Sequence, residues 1–212
     1  MFNNSVESQL YDFISQEMKQ DLAHDLNHVL RVVKTAKHLC QQERSEPLVV
    51  IPSAYLHDCF SFSKNHPSKH LSSLNAADKA IRFLESIHYP RQYLPEIHHA
   101  IVAHSYSANV EAKTLEAKIV QDADRLDALG AIGIARCIQV SVKLNRPLYS
   151  VQDPFCDSRD PDDAQYTIDH FFTKLLKLPA LMHTRAGKKE AKKRADWMKM
   201  YLAQLQVEVE PS

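Results

Sequence analysis

Apolar residues recur at spacings of three and four along most of the chain. The clearest example runs from about residue 25 to 44, where polar Lys34, Lys37 and Gln41 separate the members of one apolar stripe. The stripe consists of Val29, Val32, Val33, Ala36, Leu39 and Cys40. This spacing places the apolar side chains on one face of a helix. The pattern therefore predicts an amphipathic helix over 25–44.

Helical periodicity continues over much of the remaining sequence, and no segment alternates strongly enough to predict a strand. Two polar stretches that contain proline, 61–69 and 147–161, are predicted to be loops. Pro52 is expected in the first turn of a short buried helix. We predict further helices over about 5–19, 52–58, 71–87, 92–104, 114–136 with a bend near 122–125, 163–176 and 181–206. The expected fold is all-α, in a single domain spanning 1–212.

Composition narrows the class of protein. Lysine plus arginine and aspartate plus glutamate both total 26, so no net charge attracts the chain to nucleic acid or to anionic lipid. Three glycines are too few for a dinucleotide fingerprint or a phosphate-binding glycine loop. The sequence shows no secretory signal, and no apolar stretch approaches the ~20 residues of a membrane span. The four cysteines are widely separated, which argues against a structural zinc site or disulfide framework and favours the cytoplasm.

The C-terminal part of the chain combines a basic run with an apolar stripe. The run over 185–194 is rich in lysine and arginine, but the apolar residues that follow continue the same helical pattern. We therefore expect the basic residues to form a solvated helix face and not a nucleic-acid contact. The stripe from Trp197 to Leu205 is expected to pack in the core or at a homodimer interface.

Four residues spread over about a hundred positions carry the chemistry of the chain: His28, the adjacent pair His57 and Asp58, and Asp124. Imidazole nitrogens and carboxylate oxygens suit first-row divalent metals, and four such ligands leave coordination positions for water and substrate. Adjacent helical residues point about 100° apart, so His57 and Asp58 can share an ion only at a helix end. Any one of these residues alone is more simply explained as a structural histidine or a solvated aspartate.

Three local strings contain these residues: HDLNHVLRV at 24–32, AYLHD at 54–58 and QDADRLDALG at 121–130. Their order and spacing resemble the HD superfamily of metal-dependent phosphohydrolases. With KNHP at 64–67 and AIGIAR at 131–136, the chain is similar to a bacterial subfamily, the HD-domain nucleoside triphosphate pyrophosphohydrolases. The resemblance implies an HD-domain-like helical bundle, with a motif-bearing core over about 21–138 and C-terminal helices over about 163–206 that pack on it.

The resemblance also implies the ligand set. His28 matches the first histidine of the family, His57 and Asp58 match the signature pair, and Asp124 matches the distal aspartate. Asp122 is the rival for the distal position. We favour Asp124 because family members place the ligand before a basic residue and three residues before another aspartate, which leaves Asp122 to cap or orient a helix.

Roles in catalysis and substrate binding follow from the same comparison. Asp58, His104 and Asp127 are candidate catalytic residues. Lys64, His104 and Arg125 are candidate phosphate contacts, although Arg125 could equally pair with Asp122 or Asp127.

Other residues of the strings have weaker expectations. His24 could support the ligands or simply begin a helix, Arg31 is expected in a structural ion pair, and His98 and His99 are expected at the surface. Some HD nucleotidases carry a glutamate four residues beyond the HD aspartate, and this chain has Phe62 there. That departure argues against a simple monophosphate nucleotidase.

The leading hypothesis is hydrolysis of a nucleoside or deoxynucleoside triphosphate to monophosphate and pyrophosphate. A divalent ion, expected to be Mn²⁺ or Mg²⁺ with Fe, Co or Ni also compatible, polarises a phosphoryl oxygen and acidifies a bound water. The alternatives are a phosphodiesterase or phosphomonoesterase acting on another small phosphate ester, including ppGpp, and a non-catalytic nucleotide-binding HD module. Fold alone does not choose among them.

Overall fold

The computed structural model describes residues 4–18, 25–63, 66–105 and 108–209. Across these residues the secondary structure is helical and contains no strand, which confirms the all-α prediction. Short 3₁₀ turns cover Lys69–Leu71, Arg91–Tyr93 and Leu175–Leu181. The α-helices of the described residues are α1 (Asn4–Glu17), α2 (Leu26–Glu43), α3 (Pro47–Leu56), α4 (Ser72–Ser86), α5 (Leu94–His104), α6 (Leu115–Leu126), α7 (Gly130–Lys143), α8 (Asp169–Thr173) and α9 (Arg185–Val209).

The chain divides into two compact units. The first comprises residues 1–124 together with 183–186, and the second comprises 125–182 together with 187–212. In the first unit, α3 packs against α1, α2, α4 and α5, and α4 packs against α5. The single domain over 1–212 stays a prediction.

Helix α2 confirms the helix predicted over 25–44. All six residues of its apolar stripe are buried, as the helical spacing requires. The Asp25 side chain caps the helix by accepting a hydrogen bond from the His28 backbone N–H at 2.9 Å. Arg44 ends the helix in the left-handed conformation, with φ of 56°. These caps fix the register of α2 and so the position of His28 in its first turn.

Helix α3 begins five residues earlier than predicted, at Pro47, so Pro52 lies inside the helix and not in its first turn. Because proline has no N–H, residue 52 cannot make the helical bond to the Leu48 carbonyl. The Tyr89 hydroxyl instead donates to that carbonyl at 2.7 Å. Every residue from Val49 to Leu56 is buried, which explains why this helix shows no polar face in the sequence.

The bend predicted near 122–125 is also wrong in its position. Helix α6 continues through Leu126, and the chain then breaks over 127–129 before α7 begins at Gly130. Gly130 adopts φ of +72°, which other residues rarely adopt. At Gly133 a Cβ would lie 2.3 Å from the Ala128 carbonyl oxygen, so the tight turn requires glycine there. The two glycines, and not the acidic residues of α6, determine where the helix breaks.

The helix predicted over 163–176 is wrong over its first six residues, because α8 covers only Asp169–Thr173. The Thr167 and Ile168 backbone N–H groups donate to the Pro147 and Leu148 carbonyls, at 3.0 and 2.9 Å, instead of to a helical turn. The Asp169 carboxylate forms a bidentate pair with Arg159 and also accepts from the Asp162 N–H. These bonds hold the connection between α7 and α8 as ordered, non-helical chain.

Helix α9 has one buried face and one solvated face. Ala191, Ala195, Met198 and Leu202 are buried, whereas Trp197 is 54% exposed. The lysines of the basic run are exposed, in agreement with the predicted solvated face. None of the described helices combines the length and the apolar character that a membrane span requires.

Candidate metal centre

Three helices of the first unit bring the four predicted ligands together. His28 lies in the first turn of α2, His57 and Asp58 directly follow the last residue of α3, and Asp124 lies in the last turn of α6. The adjacent pair therefore stands at a helix end, where the chain direction changes and both side chains can face the same point.

The donor atoms of these residues converge. His28 Nε2 and His57 Nε2 lie 3.4 Å apart. Asp58 Oδ2 is 3.8 Å from the first nitrogen and 3.6 Å from the second. Asp124 Oδ1 is 3.4 Å from His28 Nε2 and 3.9 Å from His57 Nε2. Ligand atoms of His28, His57 and Asp58 all fall within 4.8 Å of one another, a spacing that fits a single metal ion.

The two histidines are fully buried, and the aspartates keep part of their surface exposed. His57 Nδ1 donates to the Ala54 carbonyl at 2.9 Å, so its Nε2 presents a lone pair to the cluster. Burial lowers the pKa of His57 to about 4, which keeps the imidazole neutral near pH 7. Burial also disfavours ionised Asp124, but the nearby His28 outweighs it and the pKa of Asp124 is lowered. A neutral imidazole and an ionised carboxylate are the forms that bind a metal.

The residues present therefore fit a divalent metal. Two buried imidazoles with converging nitrogens are unfavourable neighbours unless a proton or a cation lies between them. His28 and His57 supply the nitrogen ligands, and Asp58 and Asp124 supply oxygen ligands with a negative charge. This mixed set suits Mn, Fe, Co, Ni or Mg more than it suits a thiolate-binding metal.

His104 ends α5 beside this cluster. Its Nε2 lies 3.6 Å from Asp58 Oδ1, and its ring packs edge to face on His57 with centroids 4.9 Å apart. Its Nδ1 donates to the Ile101 carbonyl at 2.6 Å, which turns Nε2 toward the aspartate. Burial disfavours the charged imidazole, but the Asp58 carboxylate outweighs burial and raises the pKa of His104. The structure thus places His104 beside this cluster, and its predicted catalytic role and phosphate contact stay predictions.

Asp122 has a different environment from Asp124. It is fully buried, and its carboxylate accepts from the His183 and Thr184 backbone N–H groups and from the Thr184 hydroxyl, at 2.7 to 3.2 Å. Two residues apart on a helix, the two aspartates point in nearly opposite directions. Asp122 therefore anchors the segment that leads into α9.

Asp127 and Arg125 belong to the second compact unit, where they make other contacts. The Asp127 carboxylate pairs with Arg136 at 2.8 Å, and Arg125 Nη1 donates to the Leu181 carbonyl at 2.5 Å. The predicted catalytic role of Asp127 and phosphate contact of Arg125 stay predictions. Lys64 and His24 lie outside the described residues.

Hydrogen bonds and a ring contact connect the described residues of the loop that follows His57 and Asp58. Lys69 Nζ donates to the Phe62 carbonyl at 2.8 Å and to the Ser61 hydroxyl at 2.6 Å. The Phe62 ring stacks on exposed His66, with centroids 4.4 Å apart. Phe62, which replaces the glutamate of some HD nucleotidases, thus has a structural contact within the loop.

Sequence reasoning missed Gln121, a buried residue one turn before Asp124. Its Nε2 donates to the Ala103 carbonyl at 2.7 Å, and its Oε1 accepts from His183 Nε2 at 2.6 Å. The sequence did contain one indication of its role: Gln121 precedes Asp124 by three residues, so the two side chains lie on the same face of α6. His183 carried no such signal because its partners are 61 and 62 residues away in the sequence.

Comparison with known proteins places this arrangement in a family. The model of the HD domain matches residues 25–129, which include all four converging residues and His104. Together with the similarity to the proteins described below, this match shows that the chain belongs to the HD-domain phosphohydrolase superfamily.

Individual relatives cover nearly the whole chain. The uncharacterised protein YpgQ of Bacillus subtilis is 30% identical over 190 residues, which are 88% of this chain and 84% of YpgQ. The crystal structure of YpgQ in complex with ADP matches with a TM-score of 0.74 at 26% identity, covering 96% of this chain and 95% of YpgQ. An HD-superfamily hydrolase from Bacillus thuringiensis matches with a TM-score of 0.76 at 30% identity, covering 98% of both chains.

Proposed function

We propose that this protein is a metal-dependent nucleotide phosphohydrolase that cleaves nucleoside or deoxynucleoside triphosphates to monophosphate and pyrophosphate. The observation that carries the proposal is the convergence of His28, His57, Asp58 and Asp124 at one point in the first unit. A divalent ion held there would polarise a phosphoryl oxygen and acidify the attacking water.

The nucleotide part of the proposal is supported by the relative YpgQ, which binds ADP in its crystal structure and matches this chain over nearly its full length. ADP carries a diphosphate group, which a site for a triphosphate must also accept. The subsidiary assignment of pyrophosphate as a product rests on the sequence strings at 24–32, 54–58, 64–67 and 121–136.

The residues of the chain have separate tasks in this proposal. His28 and His57 would bind the metal as neutral imidazoles that add no charge, while Asp58 and Asp124 would balance part of the charge of the ion. In its protonated form His104 would carry a proton at Nε2, 3.6 Å from Asp58 Oδ1, and could donate it to a phosphate oxygen as negative charge develops. Lys64 is proposed to hold the distal phosphates, because its loop directly follows the HD pair in the sequence.

A panel of phosphate esters with added Mn²⁺ or Mg²⁺, with products resolved by chromatography, tests the reaction. We expect equimolar monophosphate and pyrophosphate from triphosphates, and loss of turnover with a chelator. Orthophosphate as the first product would replace the proposal with a phosphomonoesterase, and turnover restricted to diester substrates would replace it with a phosphodiesterase. Metal binding without turnover of any ester would leave a nucleotide-binding module.

Paired histidine variants test the residues. His57→Ala should abolish metal binding and turnover, because it removes one of the two buried imidazole nitrogens that converge with the two aspartates. His98→Ala is the matched control: His98 pairs with Asp78 at 3.0 Å, its side chain is 35% exposed, and its loss should leave turnover intact. Lys64→Ala should raise KM with metal affinity unchanged. Metal-dependent turnover in His57→Ala would refute the assigned centre.

A further inference from the structure

The carboxyl end of α5 needs partners for its carbonyl groups. The last four carbonyls of a helix accept no hydrogen bond from a backbone N–H of that helix, and in α5 these are the carbonyls of Ile101 to His104. Two of them are satisfied by side chains: the Ile101 carbonyl by His104 Nδ1 at 2.6 Å, and the Ala103 carbonyl by Gln121 Nε2 at 2.7 Å. Gln121 thus caps the turn that carries His104.

Gln121 also shares a helix face with a metal ligand. Asp124 lies three residues further along α6, so both side chains project from the same side of that helix. The bond from Gln121 to Ala103 therefore connects the helix that carries Asp124 to the residue directly before His104. It spans 18 positions in the sequence and is buried.

The orientation of the Gln121 amide is fixed by a second bond. His183 Nε2 lies 2.6 Å from Gln121 Oε1, and the His183 backbone N–H donates to Asp122 at 2.9 Å. Because Oε1 accepts from His183, the amide N–H₂ must face the Ala103 carbonyl. The segment before α9 thereby holds the side chain in the rotamer that caps α5.

We propose that Gln121 is a positioning residue that holds His104 in place against Asp58 through the Ala103 carbonyl. The proposal rests on the proposed function, in which His104 interacts with the phosphate. Without the Gln121 bond the last turn of α5 loses one of its two side-chain caps, and His104 Nε2 loses its fixed distance from the metal-binding residues. Small misplacements of this kind are costly in catalysis.

The test is a double-mutant cycle between Gln121 and His104. Gln121→Met keeps the size of the side chain and removes both hydrogen bonds, and kcat/KM for the triphosphate should fall about tenfold, or ~1.4 kcal/mol of transition-state stabilisation. In a His104→Ala background the same substitution should cost less than about twofold, because the residue it positions is gone. Gln121→Glu, which retains the acceptor toward His183 but cannot donate to Ala103 when ionised, should reproduce the effect if Gln121→Met folds poorly.

Thr167→Val is the matched control. The buried Thr167 hydroxyl donates to the Pro147 carbonyl at 3.0 Å, so Thr167→Val removes a comparable hydrogen bond in the second unit. We expect kcat/KM to be unchanged in this variant. Metal affinity, measured by calorimetry, should be unchanged in Gln121→Met. An equal cost in both His104 backgrounds would overturn the inference, as would a loss of metal affinity parallel to the loss of activity.

A readout without turnover separates this inference from the proposed function. The imidazole ¹⁵N resonances of His104 report the Nδ1 hydrogen bond to the Ile101 carbonyl, and they can be recorded without substrate or metal. We expect them to shift in Gln121→Met and to remain in place in Thr167→Val. If wild-type protein hydrolysed no ester, the shift would still support the positioning role, and unchanged resonances would refute it.

Discussion

Tyr89 is predicted to stabilise α3 because of the proline inside that helix. Pro52 cannot donate to the Leu48 carbonyl, and the Tyr89 hydroxyl does so at 2.7 Å. Tyr89 is 4% exposed, and burial raises its pKa, so the hydroxyl remains a donor over the whole neutral range. The perturbation is Tyr89→Phe, which removes the donor and preserves the ring.

The magnitude follows from the environment of the bond. Loss of one partner from a buried or partly buried hydrogen bond costs about 1–3 kcal/mol. Leu48 is only partly buried, so we expect the lower half of that range, about 1–2 kcal/mol. For a chain of this size that corresponds to a fall in Tm of roughly 2–8 °C.

Pro52→Ala supplies the missing backbone N–H, and together with Tyr89→Phe it forms a double-mutant cycle. In the Pro52→Ala background the helix can satisfy the Leu48 carbonyl itself, so Tyr89→Phe should cost less than about 0.5 kcal/mol. Urea unfolding followed by far-ultraviolet circular dichroism measures all four free energies. An equal cost of Tyr89→Phe with and without Pro52 would refute the idea that the hydroxyl compensates for the proline.

Three further outcomes are expected. Asp122→Asn should lower the free energy of unfolding by about 1–3 kcal/mol, measured by urea titration, because a charged acceptor of several hydrogen bonds is lost. Burial disfavours the ionised Asp169 carboxylate, but Arg159 outweighs burial and the pKa of Asp169 is lowered. Above about pH 4, the free energy of unfolding should therefore be larger for wild type than for Asp169→Asn. This difference should disappear as the pH falls through the lowered pKa of the folded protein. A metal at 100 times its Kd should raise Tm by about 5–11 °C in a thermal shift assay, with no rise in His57→Ala. A stability difference between wild type and Asp169→Asn that did not change with pH would contradict the second prediction. An equal rise in Tm with metal in wild type and His57→Ala would contradict the third.

The parts of the fold that the sequence predicted are those with one buried and one solvated face. Helix α2 is the clearest example, since its six apolar positions are buried as a stripe. The start of α3 could not be read in the same way because both faces of that helix are buried, which removes the periodicity. The false helix before α8 has a different cause: Thr167 and Ile168 bond to the distant Pro147 and Leu148 carbonyls. Local patterns contain no information on such partners.

The candidate site was predictable to the extent that its chemistry is local. The pair His57 and Asp58 in an apolar segment is costly without a partner, and that conflict is visible in the sequence. The supports of the site are not visible. Gln121 bonds to Ala103 and His183, and Asp122 bonds to Thr184, all through separations that only the folded chain defines.

The bonds from Asp122 to His183 and Thr184 have a consequence for the order in which the site can be completed during synthesis. His183 follows Asp122 by 61 residues, and a ribosome adds about 5–20 residues per second. All the proposed metal ligands are therefore made about 3–12 s before the segment that anchors α6. During that interval the carboxylate of Asp122 lacks these partners, and the amide of Gln121 lacks the His183 bond that fixes its orientation. The support of the site is therefore completed only after residues 183 and 184 have been made.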